Sequence, residues 1–196
     1  MSGFFLASQI LLWIAVAVLG VLVAALARQV GVLHERIAPA GALTLHRKVN
    51  VGDKAPEMAL ATLDGKQIRI GGKRERRGQL IFFLSPDCPV CKTLLPVVRS
   101  ASGAERGWLD VVLASDGDPA AHRRLAMAEG LAGFDYVLSE ELGRSLGVSK
   151  LPYAVLIDEE GNIASLGLVN NREHLESLFE AKERRVASIQ EYLARG

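Results

Sequence analysis

The 196-residue sequence predicts an α/β protein, with a central mixed β-sheet flanked by helices behind one N-terminal transmembrane helix. Three observations carry this expectation. Residues 4–27 are almost wholly apolar, broken only by Ser8 and Gln9. Further on, short apolar runs bounded by turn residues alternate with helical patterns, which is the order of a sheet covered by helices. Near the end, two strand-like runs flank a tight polar turn, which adds an antiparallel hairpin to that sheet. The implied organisation is an anchor over residues 1–28, a linker over 29–50 and a domain over 51–196.

The apolar run, as a helix, would be about 36 Å long, enough to cross a hydrocarbon core of about 30 Å. Ala25-Leu26-Ala27 has the small-x-small form of a signal-peptide cleavage site. The run is long for a signal peptide, however, and Met1-Ser2-Gly3 carries no Lys or Arg, so an uncleaved anchor is expected. The linker contains Pro39 and Gly41 and has helical potential. The domain opens on the turn-rich stretch Val51-Gly52-Asp53-Lys54-Ala55-Pro56. Residues 58–63 and 67–70 read as strands around Asp64-Gly65, a hairpin signal. Residues 71–78, with Lys73, Arg74, Arg76 and Arg77, read as an exposed, solvated connection.

Leu80-Ile81-Phe82-Phe83-Leu84 is a continuous apolar run, as in a strand buried on both faces. Ser85-Pro86-Asp87 leads into a helix from Cys88 to about Ser100. A second buried strand covers residues 109–114. Asp116-Gly117-Asp118-Pro119 then starts a helix to about Glu129, with Pro119 in the first turn. Residues 136–138 form a short strand, and 140–146 a short helix that ends at Gly147. Residues 154–157 and 163–167 make the hairpin around 158–162. A closing amphipathic helix is expected over 172–194.

Composition excludes several classes. With 23 Lys+Arg against 22 Asp+Glu, no basic excess points to nucleic acid. The two cysteines are too few for a disulfide scaffold or a structural zinc site, and His34, His46, His122 and His174 lack ligand spacing to them, so no metal and no cofactor is expected. Cys88-Pro89-Val90-Cys91 instead sits at a strand-to-helix junction. There the unpaired N–H groups and dipole of the helix start stabilise a thiolate on the first sulfur. Cys88 is therefore the candidate nucleophile. Cys91, one turn into the helix, is the candidate resolving thiol. Lys92 reads as a solvated surface residue.

Ser85-Pro86-Asp87-Cys88-Pro89-Val90-Cys91-Lys92, the strand before it and Leu151-Pro152-Tyr153-Ala154-Val155-Leu156-Ile157-Asp158 resemble the thioredoxin superfamily, in its membrane-anchored, peroxiredoxin-like branch. The whole layout resembles the MauD family of methylamine utilisation accessory proteins. The resemblance implies a thioredoxin-like fold. It also implies a cis Pro152 opposite the cysteine pair, with the Leu151 backbone presented to a substrate chain, so Leu151 and Pro152 are candidate substrate-binding residues. Asp87 stands where thioredoxins carry tryptophan, and a carboxylate there opposes thiolate formation. The strand 80–84 also offers no buried acid to move protons for Cys91.

The resemblance implies a protein thiol–disulfide oxidoreductase that forms or isomerises disulfides in an exported client, the small subunit of methylamine dehydrogenase, and that is recycled by a redox partner the sequence does not name. Three alternatives stay open. One is a reductase in cytochrome c maturation. Another is a peroxidase, with Ser85 standing in for the threonine of a Thr-x-x-Cys pocket. The third is a non-catalytic assembly factor. Disulfide chemistry on such a client places the domain in the periplasm, anchored in the inner membrane. Arg28, Arg36, Arg47 and Lys48 all follow the apolar run and oppose that orientation.

Overall fold

The computed structural model describes residues 2–36 and 49–184. Residues 37–48, which hold most of the expected linker, and residues 185–194 of the expected closing helix lie outside the described residues. The chain divides into two compact units, Met1–Leu45 and His46–Gly196.

The first unit contains the helix α1 (Ser2–Arg36). Its stretch Gly3–Val23 is long and apolar enough to cross a membrane. Phe4, Trp13 and Leu19 are among its exposed large apolar side chains. An α-helix satisfies its own backbone, so apolar side chains all round it are tolerable only in lipid or in a core. The helix continues eight residues past Arg28, where the sequence expectation ended the anchor.

The second unit is a thioredoxin-like fold. Strands β1 (Met58–Ala61) and β2 (Gln67–Ile70) pair antiparallel as the expected hairpin. The main sheet has the order β5-β4-β3-β6-β7. Its strands are β3 (Gly78–Phe83), β4 (Leu109–Ser115), β5 (Asp135–Leu138), β6 (Tyr153–Ile157) and β7 (Ile163–Leu168). β3 runs parallel to β4, and β4 to β5. β6 is antiparallel to both β3 and β7. The sheet is thus mixed, with β3 at its centre and every residue of that strand buried.

The pleat sorts the core into two layers. Leu80, Phe82 and Leu84 face helices α2 (Pro89–Ala104), α3 (Pro119–Ala128) and α5 (Arg172–Arg184), meeting Leu94, Leu95, Val98, Leu125, Leu175 and Leu178. Ile81 and Phe83 point the other way, to Leu142 and Leu146 around α4 (Glu140–Ser145) and to Ile70 of the β1–β2 hairpin. Helices lie on both faces, but on the second the β1–β2 hairpin shares the cover with α4.

The connection over residues 71–78 departs from the expected solvated loop. Gly71, Gly72 and Gly78 are buried, and two of its four cations are engaged. Arg74 Nη2 donates to Asp110 Oδ2 at 2.5 Å, and Arg77 donates to Asp110 Oδ1 through Nε, at 2.9 Å, and through Nη2. Spacing alone hid this, because Asp110 lies on β4, 33 residues from Arg77. The loop also packs on the β6–β7 turn, where Arg74 N donates to the Glu159 carbonyl. There Gly161 holds a left-handed φ of 81°, and a Cβ on it would come within 2.8 Å of the Gly72 carbonyl carbon, so only glycine fits.

Candidate active site

β3 ends at Phe83, and the chain turns through residues 84–87 to Cys88, the N-cap of α2. Ser85 builds that turn. Its carbonyl accepts from Cys88 N at 3.1 Å and its hydroxyl from Asp87 N at 3.3 Å. Pro89 follows as the first helical residue, where its missing N–H leaves no bond unmade. Cys88 Sγ accepts from Cys91 N at 3.1 Å, the place an Asp or Ser oxygen takes in an ordinary cap. A sulfur so placed faces the positive end of a 16-residue helix.

Cys88 and Cys91 are joined in a disulfide. Their surroundings differ: Cys88 is half-buried, whereas Cys91 is 1% exposed and packs in the core with Leu94, Leu95 and Leu84. The Cys88 sulfur is therefore the more accessible of the two to an external thiolate. Asp87 and Lys92 are both exposed. With Arg124 they line a cleft of about 330 Å³ between the turn, the start of α2 and α3.

Pro152 reaches the same end of the sheet by a different route. β6 runs antiparallel to β3 with Tyr153 opposite Phe83, so the residue before β6 sits level with the residue after β3. The Leu151–Pro152 peptide is cis. Pro152 is buried, and its carbonyl accepts from Val169 N at 3.1 Å. Leu151 is 40% exposed, and its N–H and C=O have no partner among the described residues. Among the described residues, the exposed large apolar side chains outside α1 are Val90, Met127, Leu151 and Leu168. Val90 lies between the two cysteines, Leu151 precedes the cis-proline, and Leu168 pairs with Tyr153 beside it. Nothing in the apolar periodicity of the sequence marks these residues, because each belongs to a different element.

Sequence reasoning also missed a buried polar cluster beneath the turn. His122 Nδ1 lies 2.6 Å from the Tyr136 hydroxyl, and its Nε2 2.7 Å from the Asp116 carbonyl oxygen. Ser115 Oγ donates to the Leu84 carbonyl at 2.7 Å. The sole signal available was a serine closing an apolar strand.

A mixed sheet of this order, with a dithiol capping the helix after its central strand, defines a thioredoxin-like redox protein, and residues 50–182 match the Redoxin family. The chain is 45% identical over 195 residues to the methylamine utilization protein MauD of Paracoccus denitrificans, covering 99% of this chain and 96% of that protein. It belongs to the MauD family within the Redoxin fold. Solved structures agree with that fold. A peroxiredoxin-like protein from Aquifex aeolicus superposes with a TM-score of 0.55 at 25% identity, over 68% of this chain and 86% of that one. A thiol-disulfide oxidoreductase from Bacteroides fragilis does so with a TM-score of 0.56 at 19% identity, over 65% and 98%.

Proposed function

We propose that the chain is a membrane-anchored protein thiol–disulfide oxidoreductase that forms or isomerises disulfides in the small subunit of methylamine dehydrogenase, with Cys88 as nucleophile and Cys91 as resolving thiol. The observation that carries the reading is the asymmetric disulfide at the α2 N-terminus, one sulfur reachable and one buried. In the oxidising direction a client thiolate attacks Cys88 Sγ, the Cys88–Cys91 bond breaks, and Cys91 leaves as the thiolate. A second client thiolate then attacks the client sulfur of the mixed disulfide and expels Cys88, leaving a client disulfide and a reduced pair. A recycling partner must accept those two electrons. In isomerisation the reduced Cys88 attacks a wrong client disulfide, and Cys91 is the escape route. Leu151, with its unpaired backbone beside Pro152, would hydrogen-bond an extended client segment in strand fashion, and Val90 and Leu168 would bury its apolar flanks. Residues 1–28 would anchor the chain, 29–50 link, and 51–196 act.

Trapping tests this. In cells making methylamine dehydrogenase, Cys91→Ser should accumulate a reducible adduct between Cys88 and the small subunit, and Cys88→Ser should not. No adduct, or an adduct that survives loss of both cysteines, removes the proposal. The midpoint of the pair separates the directions: a value near that of known oxidants, about −120 to −180 mV, supports oxidation or isomerisation, and one near −270 mV supports a reductase.

A further inference from the structure

We propose that Ser115, His122 and Tyr136 are positioning residues that hold the Cys88 turn in the geometry that stabilises its thiolate, an inference that rests on the disulfide-exchange reading above. The three side chains are 7%, 1% and 3% exposed and come from three elements, the end of β4, the first turn of α3 and β5. The Asp116 carbonyl can only accept, so His122 Nε2 donates to it. In the neutral imidazole Nδ1 is then the acceptor, and the Tyr136 hydroxyl donates. Burial raises the Tyr136 phenol well above its usual range, which keeps that donor protonated.

Ser115 carries the cluster to the turn, its Oγ lying 3.4 Å from the same Asp116 carbonyl that accepts from His122 Nε2. Its hydroxyl donates to the Leu84 carbonyl, and Leu84 N donates to the Ala114 carbonyl at 3.0 Å, so both backbone groups of the first residue after β3 are held. Ser139 N donates to the Ser115 carbonyl at 2.8 Å, which ties in the end of β5. Four residues beyond Leu84 is Cys88, whose sulfur accepts from Cys91 N at 3.1 Å. That bond weakens steeply with distance and angle. A turn free to tilt would lose it. Burying three polar groups gains little stability over apolar side chains of the same volume. What such a network supplies is a fixed geometry, provided that every member is paired. Among the described residues no buried side-chain nitrogen or oxygen lacks a partner.

The test uses the purified full chain in detergent with Tyr136→Phe, His122→Leu, His122→Gln and, as a control, Leu175→Ala, a buried α5 residue outside the network. Two quantities are read beside Tm: the equilibrium of the Cys88–Cys91 pair with glutathione, and the pH midpoint of Cys88 alkylation. Tyr136→Phe and His122→Leu should move the equilibrium towards the disulfide by about threefold or more and move the alkylation midpoint to higher pH. His122→Gln should restore most of both, since its amide offers an acceptor and a donor. Leu175→Ala should lower Tm and move neither. If Tyr136→Phe, which removes a single oxygen, and any folded His122→Leu protein keep the native equilibrium and midpoint, or if Leu175→Ala shifts them equally, the network is only structural and the inference is wrong. If the native pair itself does not exchange with glutathione, the disulfide-exchange reading fails instead.

Discussion

At Cys88 two electrostatic influences meet. The helix start and the Cys91 N–H favour a thiolate, and the exposed carboxylate of the preceding Asp87 opposes it. Cys88 also lies half-buried, which again disfavours charge. The helix contribution is lost only with the turn, but the Asp87 contribution is lost with one atom exchange. Asp87→Asn should therefore lower the pH midpoint of Cys88 alkylation in the reduced protein and shift the glutathione equilibrium towards the dithiol; an unchanged midpoint would mean that solvent screens the carboxylate. The cysteine pair was legible in the sequence because its spacing and its junction are local. Ser115, His122 and Tyr136 were not, since their meaning comes only from hydrogen bonds between elements that the fold brings together. Leu151 was singled out through resemblance alone, and its unpaired backbone shows only in the fold, where Val169 N donates to the Pro152 carbonyl past it.

Among the elements, the strands of the sheet were legible as apolar runs because both faces of β3, β4 and β6 are covered, which fills most of their positions with apolar side chains. The loop over residues 71–78 was misread for the opposite reason. Its charges look solvated until Asp110 on the adjacent β4 is placed between Arg74 and Arg77. The hydrogen bond from Arg77, with the charges of both guanidiniums, holds the Asp110 carboxyl below its usual range. An unfolded aspartate titrates near pH 3.9, at about its reference value. Above that pH both states are ionised and the clamp contributes in full. Below it the unfolded chain binds a proton first, and the contribution disappears once pH falls past the lower native value. Asp110→Asn should cost about 1 kcal/mol at pH 7, because the site is partly exposed and screened. The gap in Tm between native and variant protein should hold from pH 7 to pH 5 and close below pH 4. A gap that is the same at pH 3 and pH 7 would show that the carboxylate charge contributes nothing.

For the whole molecule, the apolar run and the redox unit were both legible because each is written contiguously, one in residues 4–27 and the other around residues 78–91. Their shared address was not, because two physical arguments about orientation disagree. The cations Arg28, Arg36, Arg47 and Lys48 follow the apolar stretch, which favours keeping that flank in the cytoplasm. A disulfide-forming domain needs an oxidising compartment, since cytoplasmic reductants would hold Cys88 and Cys91 as thiols. The charge bias acts over short flanks, whereas a large following domain is exported largely regardless of charge, and residues 46–196 form such a compact unit. For the disulfide-forming role proposed above, the compartment argument would outweigh the charge count. Fusing a reporter that is active only in the periplasm after Gly196 should give active enzyme in the membrane fraction, and a reporter active only in the cytoplasm should stay silent at the same position. The reverse pattern would place the dithiol in a reducing compartment, where it could act only as a reductant, and would exclude a role in forming disulfides.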